Sequence, residues 1–242
     1  MMVKLVDTHF HLDYYRNHRQ LYKIINELEQ YTLCMTSSPG IYMSCRKLYQ
    51  ETEYIKFALG FHPCERSLSS KDFSDFIILA NQASYIGEVG MDFSSDTYIS
   101  KSLQIGYFKK IVEICAKRNI LMSVHLRKSE NEAIEIIKEY RPKKCIIHWF
   151  TGSVSQLNQL ISLGCYFSIN ANMIQNRNAS KKILKIPKDK ILVESDGPFT
   201  KINGKRFLPE YLQEEYLKIG KYLNLDDFSF CIYNNFINLF EI

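Results

Sequence analysis

The sequence contains no apolar run approaching the ~18 residues that a membrane-spanning helix requires. It enters a strand-like run at Lys4-Leu5-Val6, which leaves no room for a signal peptide, so the expectation is a cytoplasmic protein with no membrane partner. No Cys-x-x-Cys occurs, and the seven cysteines are odd in number. Neither a thiolate zinc site nor a disulfide framework is therefore expected. Cys34, Cys115, Cys145, Cys165 and Cys231 sit among apolar neighbours and read as small core residues in a reducing compartment. The chain also lacks low-complexity tracts, short repeats and an internal linker. No Gly-x-Gly-x-x-Gly follows the first strand, which weakens a dinucleotide-binding reading. Charge of either sign is not dominant. With 31 basic and 26 acidic residues the net charge is +5, which permits a polyanionic partner without arguing for one.

What is present is an ordinary globular composition, 46% hydrophobic and 24% charged over 242 residues, compatible with one domain spanning 1–242. Short apolar runs fit strands near Lys4–His9, Thr32–Thr36, Lys56–Gly60, Tyr85–Glu88, Leu121–His125, Lys144–His148, Cys165–Ile169 and Lys190–Glu194. Helical periodicity lies between them. Phe108, Ile111, Val112 and Cys115 form an i, i+3, i+4, i+7 stripe. Ser129 with Glu132, and Ser153 with Gln156, read as capping boxes. Pro209 opens a helix carrying Leu212, Tyr216, Ile219 and Leu223, and Asp226–Phe240 forms a last amphipathic helix. Eight strands alternating with helices predict an α/β protein with a single TIM-type (β/α)₈ barrel. A doubly wound open sheet is the structural rival.

The polar residues fall at strand ends. His9 and His11 are two positions apart, so in a strand they share a face, where two imidazoles can chelate one metal ion. Strand four ends at Glu88, strand five at His125, strand six at His148 and strand eight near Asp196. In a barrel these ends converge on one mouth. The chain has six histidines in all, and burying four of them with two carboxylates and no metal would be costly. Six ligands exceed one tetrahedral site and suit two divalent ions. An imidazole-rich set suits Zn²⁺ or Mn²⁺ better than Mg²⁺.

Asp7-Thr8-His9-Phe10-His11-Leu12-Asp13, Ala58-Leu59-Gly60-Phe61-His62-Pro63, Ile86-Gly87-Glu88-Val89-Gly90-Met91-Asp92, Val124-His125-Leu126-Arg127, His148-Trp149-Phe150-Thr151-Gly152-Ser153 and Leu192-Val193-Glu194-Ser195-Asp196-Gly197-Pro198 occur in this order, closed by Asn234-Asn235-Phe236-Ile237-Asn238-Leu239-Phe240. Together they resemble the TatD family of metal-dependent deoxyribonucleases across nearly the whole chain. The resemblance implies a barrel of the metal-dependent hydrolase kind. It implies one ion on His9, His11, Glu88 and Asp196, and a second on Glu88, His125 and His148, with Glu88 bridging. It places His62 against substrate phosphate. Arg127 shares a strand direction with His125 and reads equally as a phosphate contact or a supporting salt bridge.

On this reading the protein is a DNase, acting as a 3′-to-5′ exonuclease on single-stranded DNA through a hydroxide activated by two ions (Mg²⁺, Mn²⁺ or Zn²⁺). Asp196 is the candidate general base, with Glu88 and His62 completing the catalytic group. Lys205 and Arg206 would hold the DNA backbone, or simply belong to a solvated loop. Phe150 and Phe199 would stack on a base, or simply be packed. Two stretches depart from the family pattern, Ser94-Ser95-Asp96 and Asn170-Ala171-Asn172-Met173, and they bear on substrate preference. The Gly-Met-Asp-Phe-Ser variant and Ser195-Asp196-Gly197-Pro198-Phe199 are similar to the TatD-type nucleases of Qat anti-phage operons, which implies defence-operon protein partners. Two other readings stand beside this one. One is a metallohydrolase acting on an ester or amide, such as an aminoacyl-tRNA deacylase. The other is a nuclease-like subunit whose main task is binding within a defence complex.

Overall fold

The computed structural model describes residues 3–66, 68–94 and 97–240. Ser95 and Asp96, in the first departing stretch, lie outside the described residues. The strands are β1 (Val6–Phe10), β2 (Tyr31–Cys34), β3 (Ile55–Phe57), β4 (Leu59–Phe61), β5 (Tyr85–Asp92), β6 (Leu121–Arg127), β7 (Cys145–His148), β8 (Tyr166–Ile169), β9 (Ile191–Val193), β10 (Lys201–Ile202) and β11 (Lys205–Arg206). The chain divides into two compact units. One comprises Met1–Cys34, Gln50–Lys56 and Phe167–Ile242, and the other Met35–Tyr49 and Phe57–Tyr166.

In the first unit β1 pairs parallel with β2, with a register shift before Phe10 meets Cys34. β8 pairs parallel with β9, Phe167 opposite Ile191 and Ile169 opposite Val193. Hydrogen bonds tie β1 to β9 and to the turn after it, where the site residues sit. The Thr8 hydroxyl donates to the Val193 carbonyl at 3.0 Å, and the Asp196 N–H donates to the His9 carbonyl at 2.9 Å. The Tyr216 hydroxyl, from the helix Leu212–Leu223, satisfies both the N–H and the carbonyl of Val6 (3.0 and 2.8 Å). Asn235, on the terminal helix Phe228–Phe240, donates to the carbonyls of Lys188 and Ile191 and so fixes the entry to β9.

In the second unit β4, β5, β6 and β7 run parallel in that order. The helix Lys101–Arg118 buries Phe108, Ile111, Val112 and Cys115, the stripe read from the sequence. The Ser153–Gln156 capping box forms as expected. The Ser129–Glu132 one does not. Ser129 occupies the N-cap position, but its hydroxyl donates to the Met91 carbonyl at 2.6 Å, because a buried hydroxyl beside an open β5 carbonyl has a better acceptor there.

Each expected strand is present, with altered limits. The run Lys56–Gly60 breaks at Ala58 into β3 and β4, and β5 continues four residues past Glu88. Glycines set how closely these strands approach their neighbours. A Cβ on Gly60 would strike the Thr36 carbonyl, and one on Gly90 would strike the His125 carbonyl, so only glycine lets these backbones approach so closely. Cys231 is half-buried, whereas Cys34, Cys115, Cys145 and Cys165 are core residues; none of the seven is joined in a disulfide. No helix among the described residues is long and apolar enough to cross a membrane.

Two short helices after β8, Ala171–Gln175 and Arg177–Ile183, have no counterpart in the sequence reading. Asn170 caps the first, and the Glu215 carboxyl accepts the N–H of Ala171 beneath it. Burial pushes Glu215 up to about 8. A carboxyl with a raised folded-state pKa binds its proton more tightly in the native chain, so its contribution is lost as pH rises toward 8. Thermal stability of the metal-free chain should therefore fall between pH 5 and 8. Glu215→Gln should flatten that slope, as read by melting curves across the range.

Candidate metal centre

The first unit builds one donor set from β1 and the turn after β9. His9 lies in β1 and His11 just past its last residue, and their Nε2 atoms stand 3.1 Å apart. Asp196 Oδ1 lies 3.8 Å from His9 Nε2 and 3.5 Å from His11 Nε2. All three residues are buried. Asp196 has φ +48°, a left-handed conformation that aspartate tolerates better than most residues. Asp7 holds the set from behind. Its carboxylate accepts the N–H of His9 at 3.2 Å and both the N–H and the hydroxyl of Ser195 at 2.9 and 2.5 Å. Burial raises Asp7 to about 7 despite these donors. Glu194 lies fully buried beside it and accepts from Ser168 and Asn170.

The second unit builds another set around Glu88. Its Oε1 lies 3.0 Å from His125 Nδ1, 3.3 Å from His62 Nε2 and 3.6 Å from His148 Nε2. The N–H of Cys64 donates to His62 Nδ1 at 3.2 Å, which puts the neutral imidazole's proton on Nε2, toward Glu88. His125 is held at its far side by Asp92, with Nε2 3.1 Å from Oδ2. Burial pushes Asp92 up, but the hydrogen bonds from His125 and Ser94 outweigh it and hold the carboxyl well below its ordinary range. Burial likewise pulls His125 down, and the bonds to Asp92 and Glu88 more than reverse it.

Donor chemistry fits a divalent cation in both places. In His9–His11–Asp196, imidazole nitrogens and a carboxylate oxygen lie within 4.8 Å of one another, and in the second unit Glu88 Oε1 lies beside His125 Nδ1 and His148 Nε2. Two Nε2 atoms 3.1 Å apart cannot both aim lone pairs at each other, so a proton or a cation must lie between them.

The family model for TatD related DNase matches residues 6–241. The chain belongs to the TatD family. It is 29% identical to an uncharacterized metal-dependent hydrolase of Buchnera aphidicola over 98% of this chain and 99% of that one. It is 26% identical to the Schizosaccharomyces pombe protein named deoxyribonuclease Tat-D over 66% of this chain and 55% of that one. The crystal structure of the Escherichia coli TatD homologue YJJV covers all of both chains at a TM-score of 0.87 with 18% identity. The fold class is thus the TatD-like TIM barrel expected from the strand–helix alternation, and this TatD-family chain is a metal-dependent hydrolase.

The remaining expected residues of this TatD-family protein are placed unevenly. Arg127 is exposed at the last position of β6, in register with Asp92; burial and the Asp92 carboxylate push the nearby Cys64 thiol up to about 12, which the Arg127 charge only partly offsets. Lys205 and Arg206 are exposed on the two-stranded hairpin β10–β11 rather than in a plain loop. Phe150 is buried, which removes it as a stacking surface, whereas Phe199 is exposed. Asp92 was missed as a site residue. Its signal was available, since Glu88, Gly90 and Asp92 alternate on one strand face with an empty glycine between two carboxylates. As the partner that orients a ligand imidazole, Asp92 should matter for metal rather than for fold. Asp92→Asn should weaken metal binding by about 10–100-fold, read by competition with a chelating dye, with the circular dichroism spectrum unchanged.

Proposed function

We propose that this protein hydrolyses DNA phosphodiesters with two divalent ions, one on His9, His11 and Asp196 and one on Glu88, His125 and His148. The observation that carries the reading is a pair of buried carboxylates, Asp196 beside His9 and His11 and Glu88 beside His125 and His148, in a chain of this family. Bound ions supply Lewis acidity that brings the pKa of water to about 7 and offsets charge on the phosphate oxygens. Asp196 accepts the proton of the attacking water. His62, with its Nε2 proton presented, donates to a phosphate oxygen as negative charge builds there. Asp92 and Asp7 keep His125 and the β1–Asp196 junction in place, so little reorganisation accompanies the step. The P–O3′ bond breaks as the water oxygen bonds to phosphorus, the departing O3′ takes a proton from solvent, and a 5′-nucleotide is released from the 3′ end.

DNA is favoured over other esters because relatives such as the fission yeast protein carry a deoxyribonuclease name and because Glu88 offers a plain carboxylate between the imidazoles. The exposed Lys205 and Arg206 would meet the backbone of a single strand. The narrower resemblance through Gly90-Met91-Asp92-Phe93-Ser94 extends the proposal to an anti-phage setting with defence partners. The test is a metal-titrated assay on end-labelled single- and double-stranded DNA beside an aminoacyl ester. Stepwise loss from the 3′ end of single strands, dependent on added metal, is the expected result. Ester hydrolysis without DNA cleavage would overturn the reading.

A further inference from the structure

Two aromatic rings flank His11 in the first unit without joining the core. Tyr14 ends the single turn Leu12–Tyr14 that follows β1, and Phe199 follows Asp196, to whose carbonyl its N–H donates at 2.8 Å. Phe199 is 54% exposed and Tyr14 43% exposed. Their centroids are 5.0 Å apart, and both stand edge-to-face with the His11 ring, at 5.3 and 5.5 Å. The apolar demand of this region is met elsewhere. Phe10, Tyr15 and Phe207 form a separate cluster, with Phe10 stacked on Tyr15 at 5.3 Å and Phe10 and Phe207 fully buried. Tyr14 and Phe199 are thus held in place by local backbone and by His11, and still present ring surface to solvent.

A cation is fixed beside them. The Arg206 guanidinium lies over the Tyr15 ring at 4.5 Å and donates to the Tyr14 carbonyl at 2.9 Å. Arg206 and its neighbour Lys205 are exposed on the β10–β11 hairpin. Paired aromatic surface with an adjacent basic group is how proteins hold unpaired nucleotides, because every base has a π-face and every linkage a charge.

We propose that Tyr14 and Phe199 form a stacking platform for one nucleobase of single-stranded DNA next to the His9–His11–Asp196 set, with Arg206 and Lys205 on the adjoining phosphate. The proposal rests on the phosphodiesterase reading above. It makes the platform a positioning device: the base is stacked where its own phosphate lies near His11, so a strand with an unpaired end is held better than a duplex, whose bases are not free to stack there.

The test compares single-stranded oligonucleotides that carry a base, or an abasic residue, at the terminal and penultimate positions. The metal-loaded wild-type chain should show kcat/KM about tenfold or more higher for the base-bearing strand, carried mainly by KM. Phe199→Ala should erase that ratio and Phe199→Trp should restore it. Phe199 is exposed, so these variants should keep the wild-type melting temperature and metal content, which are measured alongside. A base-to-abasic ratio that survives in Phe199→Ala, or that is absent in the wild type, overturns the platform while leaving the nuclease reading standing. A wild-type chain that cuts no DNA overturns both.

Discussion

Glu88→Ala should reduce nuclease activity to below about a thousandth of wild type. Glu88 Oε1 is the shared neighbour of three imidazole nitrogens, all within 3.6 Å. Without it the second set loses its only anionic donor, and His125 loses one of the two carboxylates that hold its pKa up. His125 and His148 alone bind a divalent ion less tightly than they do with a carboxylate between them. Metal content per chain, measured by mass spectrometry after dialysis, decides the role. Loss of the ion on His125 and His148 is the expected result. Activity within tenfold of wild type would sink its ligand role altogether.

The strand ends were legible because strand periodicity and chemistry coincide there. His9 and His11 are two apart, and Glu88, His125 and His148 each close an apolar run, so face and position could be read together. What supports those residues was not legible. Asp7 meets Ser195 across 188 positions of chain, and Asp92 meets His125 across 33, and no local pattern announces either pair. The continuation of β5 past Glu88 was hidden because Gly90 reads as a strand breaker, whereas here it is the residue that lets β6 come close. The helices at Ala171–Gln175 and Arg177–Ile183 were hidden for the opposite reason. They are too short for a period, and their asparagines, which read as loop, serve as caps through Asn170 and Asn176. The same limit explains Ser129. A capping-box spacing states what a serine can reach along the chain, but the Met91 carbonyl that captures it comes from another strand.

The second large effect is expected from Asp196→Asn, where kcat should fall about 10²–10⁴-fold. Asparagine keeps the volume and one carbonyl oxygen. It also tolerates the left-handed conformation at φ +48°, so the turn that bonds the Phe199 N–H to the residue-196 carbonyl should persist. What is lost is charge. The carboxylate 3.5 and 3.8 Å from the two Nε2 atoms is the anionic member of its set and, in the mechanism proposed, the acceptor of the water's proton. Asp196→Ala is the poorer experiment, because alanine in a left-handed conformation adds about 1–2 kcal/mol of backbone strain and mixes folding with chemistry. Unchanged melting of the metal-free Asn variant would confirm that the substitution is local. Raising the metal concentration then separates the two tasks of this residue. If occupancy recovers while kcat stays low, the missing function is proton acceptance. If kcat recovers with occupancy, Asp196 is a ligand and the proton goes elsewhere.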